Sequence, residues 1–127
     1  MSSIGEAISG PFSTAIGAAG VVVTYHRGAD WVELTALPGK TDFEVDDGNG
    51  VIVEYRSRDY LIRTCELELA GTLVEPKRGD QIKETVGNKI HTYEVMRPDG
   101  GEQVWKHADP TRNVIRVHTK LKGVTNL

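Results

Sequence analysis

Histidines, carboxylates and one cysteine are the side chains of this sequence that could do chemistry. The four histidines lie far apart, and no pair has the short spacing of metal ligands, so we predict no metal site. Cys65 is the only cysteine, which excludes an internal disulfide, and without an activating base beside it a semi-buried structural role is expected. The sequence also lacks the nucleophile-elbow, zinc-protease, phosphate-loop and dinucleotide motifs. We therefore predict that the chain is not an enzyme and needs no cofactor.

Two short charged motifs have structural explanations that compete with functional ones. The acidic run at residues 42–49 only loosely resembles a calcium loop, because its spacing does not meet the required pattern, and a solvated turn is expected. Residues 78–80 spell the adhesion tripeptide Arg-Gly-Asp. We predict instead a turn that opens a strand, in which Gly79 supplies the special backbone angle and Asp80 bonds back to the chain.

Composition bounds the class of protein. A chain of 127 residues with 39% apolar and 26% charged residues is typical of one globular domain with a core of its own. The net charge of −3 and the aromatic content of 6% argue against a general nucleic-acid binder. Residues 1–20 lack the basic start of a secretory signal, and no apolar run is long enough for a membrane span. A cytoplasmic protein without a membrane partner is expected.

Turn signals that recur every 8–12 residues dominate the chain beyond residue 20. This spacing predicts an all-β fold, a mostly antiparallel barrel or sandwich. One predicted strand, residues 31–37, is expected to end at Pro38 and Gly39. Residues 1–20 are predicted to form a short broken helix or a flexible arm, and residues 21–127 a single β domain.

The charge is divided unevenly along the chain. Residues 1–75 hold 12 acidic and 5 basic residues, whereas residues 76–127 hold 6 acidic and 10 basic residues. The basic share concentrates on a last strand predicted over residues 112–121, whose polar face could contact phosphates, meet the acidic half of another copy, or guard a sheet edge. The candidate contact residues lie on this strand and on turns at residues 46–50 and 98–101: Arg112, Arg116, His118, Lys120, Asp46, Asp47 and Asp99.

Five short segments follow one another in a distinctive order: residues 53–62 (VEYRSRDYLI), 76–82 (PKRGDQI), 93–95 (YEV), 104–105 (VW) and 115–120 (IRVHTK). Each segment is unspecific by itself, but their order resembles the small head–tail joining proteins of long-tailed bacteriophages and prophages, also called head completion or stopper proteins. The similarity covers about residues 21–123 and leaves the N-terminal arm outside.

The resemblance implies a structural neck protein that assembles as a ring below the portal of a filled head. Such a ring joins head to tail and helps to close the DNA exit channel. The implied partners are further copies of the chain, the portal or adaptor, and tail proteins, with a monomer in dilute solution. The implied location is the virion neck, after synthesis in the host cytoplasm. The resemblance carries over no catalytic residue and leaves open whether a loop touches DNA.

Three other functions compete with a neck protein. The first is a tail terminator or minor tail protein, which gene order would distinguish. The second is a small β-barrel that binds nucleic acid or a ligand, for which salt-sensitive oligonucleotide binding would be the sign. The third is an enzyme, which would need histidine, aspartate or cysteine side chains to converge in a pocket.

Overall fold

A computed structural model describes residues 10–127, so the first nine residues of the predicted arm lie outside the described range. Helix α1 (Gly10–Ala19) begins at the predicted Gly-Pro break, where the missing donor of Pro11 is not needed by the first turn. The helix ends at Ala19, and the N–H of the next residue, Gly20, donates to the Ile16 carbonyl oxygen at 2.8 Å. A Cβ at Gly20 would lie 2.6 Å from that oxygen, so only glycine fits this exit.

Nine strands and one 3-10 helix follow α1. In chain order they are β1 (Val21–Arg27), β2 (Asp30–Asp46), β3 (Ile52–Arg63), the 3-10 helix (Thr64–Glu66), β4 (Glu68–Leu69), β5 (Thr72–Leu73), β6 (Gln81–Val86), β7 (Lys89–Val95), β8 (Trp105–His107) and β9 (Val114–Asn126).

The main sheet is antiparallel and closes on itself. Its strand order is β3-β2-β1-β6-β7-β9-β8, and β3 also pairs with β9. Six strands therefore form a closed barrel, while β8 lies beside β9 next to the end of β7. The predicted all-β class is confirmed, and closure selects the barrel over the sandwich. The boundary between an arm and a β domain at residue 20 stays a prediction.

The barrel interior is filled by residues that alternate along the strands, as the two-residue period requires. Tyr60 and Tyr93 pack edge to face with ring centroids 5.7 Å apart. The buried apolar residues around them are Val23, Tyr25, Leu34, Ala36, Ile62, Leu67, Leu69, Ile82, Val95, Val104, Ile115 and Val117.

Two predicted strand limits are wrong. Strand β2 continues through Pro38 and Gly39, because Ala36 is the last β2 residue that pairs with β1, and Pro38 lies where β2 pairs only with β3. Strand β9 begins at Val114 and extends to Asn126, since its second half pairs with β7.

Candidate assembly surface

A long β-hairpin built from β2 and β3 extends beyond the closed part of the barrel. Strand β1 pairs with β2 only as far as Ala36, and β9 pairs with β3 only from Arg58 onward. Residues 41–57, here called the hairpin arm, therefore form ladder pairs only with each other. The arm holds five acidic residues and one basic residue, Arg56, whose Nε lies 2.7 Å from Asp42 Oδ1.

The tip of the hairpin arm is a turn organised by two candidate contact residues. Asp46 Oδ1 accepts the Gly48 N–H at 2.8 Å, and Asp47 Oδ1 accepts the Asn49 N–H at 2.8 Å. The prediction of a solvated turn here is confirmed, because the two carboxylates serve the backbone and stay exposed. Their role in partner contacts stays a prediction.

The base of the hairpin arm is fixed by a buried carboxylate, Asp59, on the outer face of the barrel. Asp59 Oδ2 accepts Arg116 Nη1 at 2.8 Å, and Asp59 Oδ1 lies 3.0 Å from His118 Nδ1. The hydroxyls of Thr41 and Ser57 also donate to Asp59. Because these five side chains come from β2, β3 and β9, the cluster ties three strands together at the point where the arm leaves the barrel.

Electrostatics in this cluster favour the ionised carboxylate. Burial by itself raises the pKa of Asp59, but hydrogen bonds from His118, Ser57, Thr41 and Arg116 outweigh it and lower that pKa to about 2. An ionised carboxylate accepts and cannot donate, so His118 Nδ1 carries the proton that the two groups share. The cluster is therefore a satisfied buried ion pair, the form in which buried charge is tolerated.

A second contact on the same outer face connects the arm to the turn after β7. Phe43, on the arm, packs edge to face against the His118 ring at 5.1 Å. The Arg97 guanidinium lies 4.8 Å from the centre of the Phe43 ring, a cation–π distance, and its Nη2 lies 2.6 Å from Asp99 Oδ2. The same Arg97 hydrogen bonds lower the pKa of Asp99. Asp99 thus braces the arm, and a further role in partner contacts stays a prediction.

The four basic candidates of the last strand are not one continuous stripe. Arg112 precedes β9 in a turn with φ +62°, whereas Lys120 lies on the part of β9 beyond β3. Between them, Arg116 is half-buried against Asp59, and His118 is buried. The structure therefore leaves only Arg112 and Lys120 of this set exposed, and it separates them along the strand.

The Arg-Gly-Asp motif is the predicted turn. Gly79 has φ +94°, and Asp80 Oδ2 accepts the Lys77 N–H at 2.9 Å. Asp80 is 4% exposed and also binds Arg27, at 2.9 Å between Nη2 and Oδ2, and the Tyr25 hydroxyl. A carboxylate held in this way is closed to an adhesion receptor.

Cys65 differs from expectation. It lies in the 3-10 helix and is exposed rather than semi-buried, because that short helix sits at the barrel surface.

An open groove of about 750 Å³ lies where β3 and β9 separate. Its walls are Arg56, Ser57 and Arg58 on one side and Thr119, Lys120 and Leu121 on the other, with Pro38, Gly39, Lys40 and Tyr93 between them. Within residues 10–127, no three histidine, cysteine or acidic side chains gather where they could hold a metal ion. No helix in this part of the chain is long and apolar enough to cross a bilayer.

Comparison with known proteins decides the family. A family model described as "Phage head-tail joining protein" matches residues 6–126 of this chain. The chain belongs to this family. The match covers nearly the whole sequence. It includes residues 6–20 of the predicted N-terminal arm, whereas the resemblance carried by the ordered motifs begins at about residue 21. A search of curated proteins gives no match.

Three buried acidic residues of the joining protein escaped the sequence analysis: Asp59, Asp80 as an ion-pair partner, and Glu84. Glu84 accepts Tyr60 Oη at 2.7 Å and Arg58 Nη2 at 3.0 Å inside the barrel. Each lies on a strand or at its start among other charged residues, and an acidic side chain in such a sequence is expected to be exposed to solvent. One local feature of the sequence indicates a buried acidic residue: Arg-Asp-Tyr at residues 58–60 breaks the alternation of polar and apolar residues along β3.

Proposed function

We propose that this joining protein forms a ring below the portal of a DNA-filled head and presents a surface to the tail. The hairpin arm carries the proposal, because its base is fixed by the Asp59 cluster and, within residues 10–127, its tip forms ladder pairs and hydrogen bonds only inside the arm. In a ring, one such arm from every copy converges on the axis and narrows the DNA exit channel.

The charge of the arm indicates how it would act there. With five carboxylates and one arginine, the hairpin arm repels the phosphates of DNA. The arms therefore obstruct the channel without binding the DNA inside it. The partners are then other copies, the portal or adaptor, and tail proteins. The site of action is the virion neck, after synthesis in the host cytoplasm.

Electron microscopy of purified portal complexes with the joining protein added tests this function. We expect ring density below the portal, with arms that point to the axis. A second sample uses DNA-filled heads and a variant in which the tip, residues 47–51, is replaced by an Asn-Gly turn that joins the ladder pair Asp46 and Ile52 and leaves Glu44 and residues 52–57 in place. That variant should still bind the heads, but their DNA should become sensitive to nuclease, whereas the wild-type protein protects it. Failure of the wild-type protein to bind portals or heads would overturn the proposal.

A further inference from the structure

Strands β3 and β9 separate from each other and leave two open edges. Their last ladder pair is Arg58 with Thr119. Beyond it, residues 52–57 of β3 pair only with β2, and residues 120–126 of β9 pair only with β7. No described strand covers the other edge of either segment. Open strand edges present unpaired backbone N–H and C=O groups, which are templates for pairing with another chain.

The two edges differ in charge. The hairpin arm, which includes the first edge, has five acidic residues and one basic residue, Arg56. Residues 120–127, which include the second edge, have two lysines and no acidic residue. Two edges that belong to segments of opposite net charge suit a contact in which one edge meets the other edge of the next copy.

A like-charge pair in the hairpin arm points to a cationic partner. Glu44 and Glu54 stand directly opposite each other in the ladder between β2 and β3. Such a pair destabilises a hairpin. Arg56 offsets only part of this repulsion, because its guanidinium interacts with Glu54 but is paired with Asp42 at 2.7 Å, and neither glutamate forms a salt bridge within residues 10–127. Lys120 is likewise exposed and without an ion pair in this range, and Lys122 has only a 3.8 Å contact with Glu94.

Both edges also expose apolar side chains. Val51 and Ile52 at the tip of the arm are 54% and 56% exposed, and Leu121 and Val124 on β9 are 48% and 44% exposed. A strand edge that only guards against aggregation would keep such residues away from solvent. Their presence on both edges adds an apolar contribution to the charge match.

We propose that neighbouring copies of the joining protein join by pairing the open edge of β3 (residues 52–57) with the open edge of β9 (residues 120–126) of the next copy. Glu44 and Glu54 then lie near Lys120 and Lys122 of that copy. The contact uses two different surfaces, so each copy can bind a further copy. The chain of copies closes into a ring when the rotation from one copy to the next is a whole fraction of a full turn. This inference rests on the proposed ring and names the interface that builds it.

Cysteine crosslinking in necks purified from assembled phage particles tests the interface. In a Cys65→Ser background, Ile52→Cys is combined with either Leu121→Cys or Val124→Cys, and the necks are treated with a short bismaleimide. We expect a ladder of dimers, trimers and larger species in denaturing gels. Each single-cysteine variant should remain monomeric, as should the matched double variant Trp31→Cys with Leu73→Cys, whose sites are exposed but lie away from both edges.

The outcomes separate this inference from the proposed function. Absence of the wild-type protein from necks overturns the proposed function. Presence of the variants in necks without a ladder overturns the interface alone. A crosslink within one chain, a dimer from a single-cysteine variant, or pairing of the β9 edge with residues 1–9 or with DNA also overturns it.

A charge exchange supplies a second measurement. Lys120→Glu with Lys122→Glu should lower incorporation into necks by about tenfold or more, because like charges then face each other. Adding Glu44→Lys and Glu54→Lys to the same chain should restore incorporation. Recovery supports the pairing, whereas a further loss contradicts it.

Discussion

The carboxylate of Asp59 and the imidazole of His118 meet on the outer face of the barrel, 3.0 Å apart between Oδ1 and Nδ1, with both side chains buried. They stand directly opposite each other in the ladder between β3 and β9, one pair before these strands separate. This pair, with Arg116, connects β3 to β9 at the end of their shared ladder, just before the two strands separate. It therefore sets the direction in which the hairpin arm leaves the barrel.

Removal of the Asp59 charge should destabilise the fold. Asp59→Asn leaves Arg116 without its anionic partner inside the cluster, and breaking a buried pair in this way costs about 3–5 kcal/mol. Urea denaturation followed by tryptophan fluorescence measures the change in the free energy of unfolding. The control is Asp42→Asn, which breaks an exposed pair with Arg56 and should have little effect. Equal losses in the two variants would contradict the structural role of Asp59.

Acid should remove the contribution of Asp59. Its pKa is about 2 in the folded chain against an ordinary value of 3.8, so between these values unfolding takes up a proton. The contribution is present above pH 3.8 and declines as the pH falls to 2. The difference in unfolding free energy between the wild-type protein and Asp59→Asn should shrink by about 2 kcal/mol over that window. Parallel pH curves for the two proteins would refute this assignment.

Charge reversal at two basic residues of β9 should have a large effect on stability at one and almost none at the other. Arg116→Glu places a second carboxylate beside Asp59 and should destabilise the chain by about 3 kcal/mol or more. Lys120→Glu lies on the exposed edge and should change the free energy of unfolding by less than about 0.5 kcal/mol. Thermal and urea unfolding of the two variants provide the comparison. Only Lys120→Glu can therefore be used to test assembly without loss of stability. Equal free energies of unfolding for the two variants would show that the ion pair of Arg116 does not stabilise the fold.

The Arg-Gly-Asp turn should behave as a structural element. Asp80→Asn removes the charge that binds Arg27, and we expect a loss of about 3 kcal/mol in the free energy of unfolding. Arg78 is exposed and has no ion pair in the described range, so Arg78→Ala should change stability by less than about 0.5 kcal/mol. The same urea titration measures both. A larger loss for Arg78→Ala than for Asp80→Asn would point to an unrecognised role for the arginine.

The sequence by itself determined the all-β class, the Gly79 turn and the acidic tip at Asp46 and Asp47. These features depend on local chemistry: two-residue alternation, glycine at positive φ, and short carboxylates that accept nearby backbone N–H groups. The ordered motifs also carried the family, which the match over residues 6–126 confirms.

Only the tertiary structure decided what each charge does. Arg116 and Lys120 both carry a positive charge at neutral pH and lie four residues apart, but β3 covers one and leaves the other at an open edge. Asp59 looks like any solvated aspartate until β2 and β9 bring Thr41, Arg116 and His118 to it. The reason is physical: burial and ion pairing depend on which strands become neighbours. That pairing joins residues up to 61 positions apart, which no local pattern in the chain encodes.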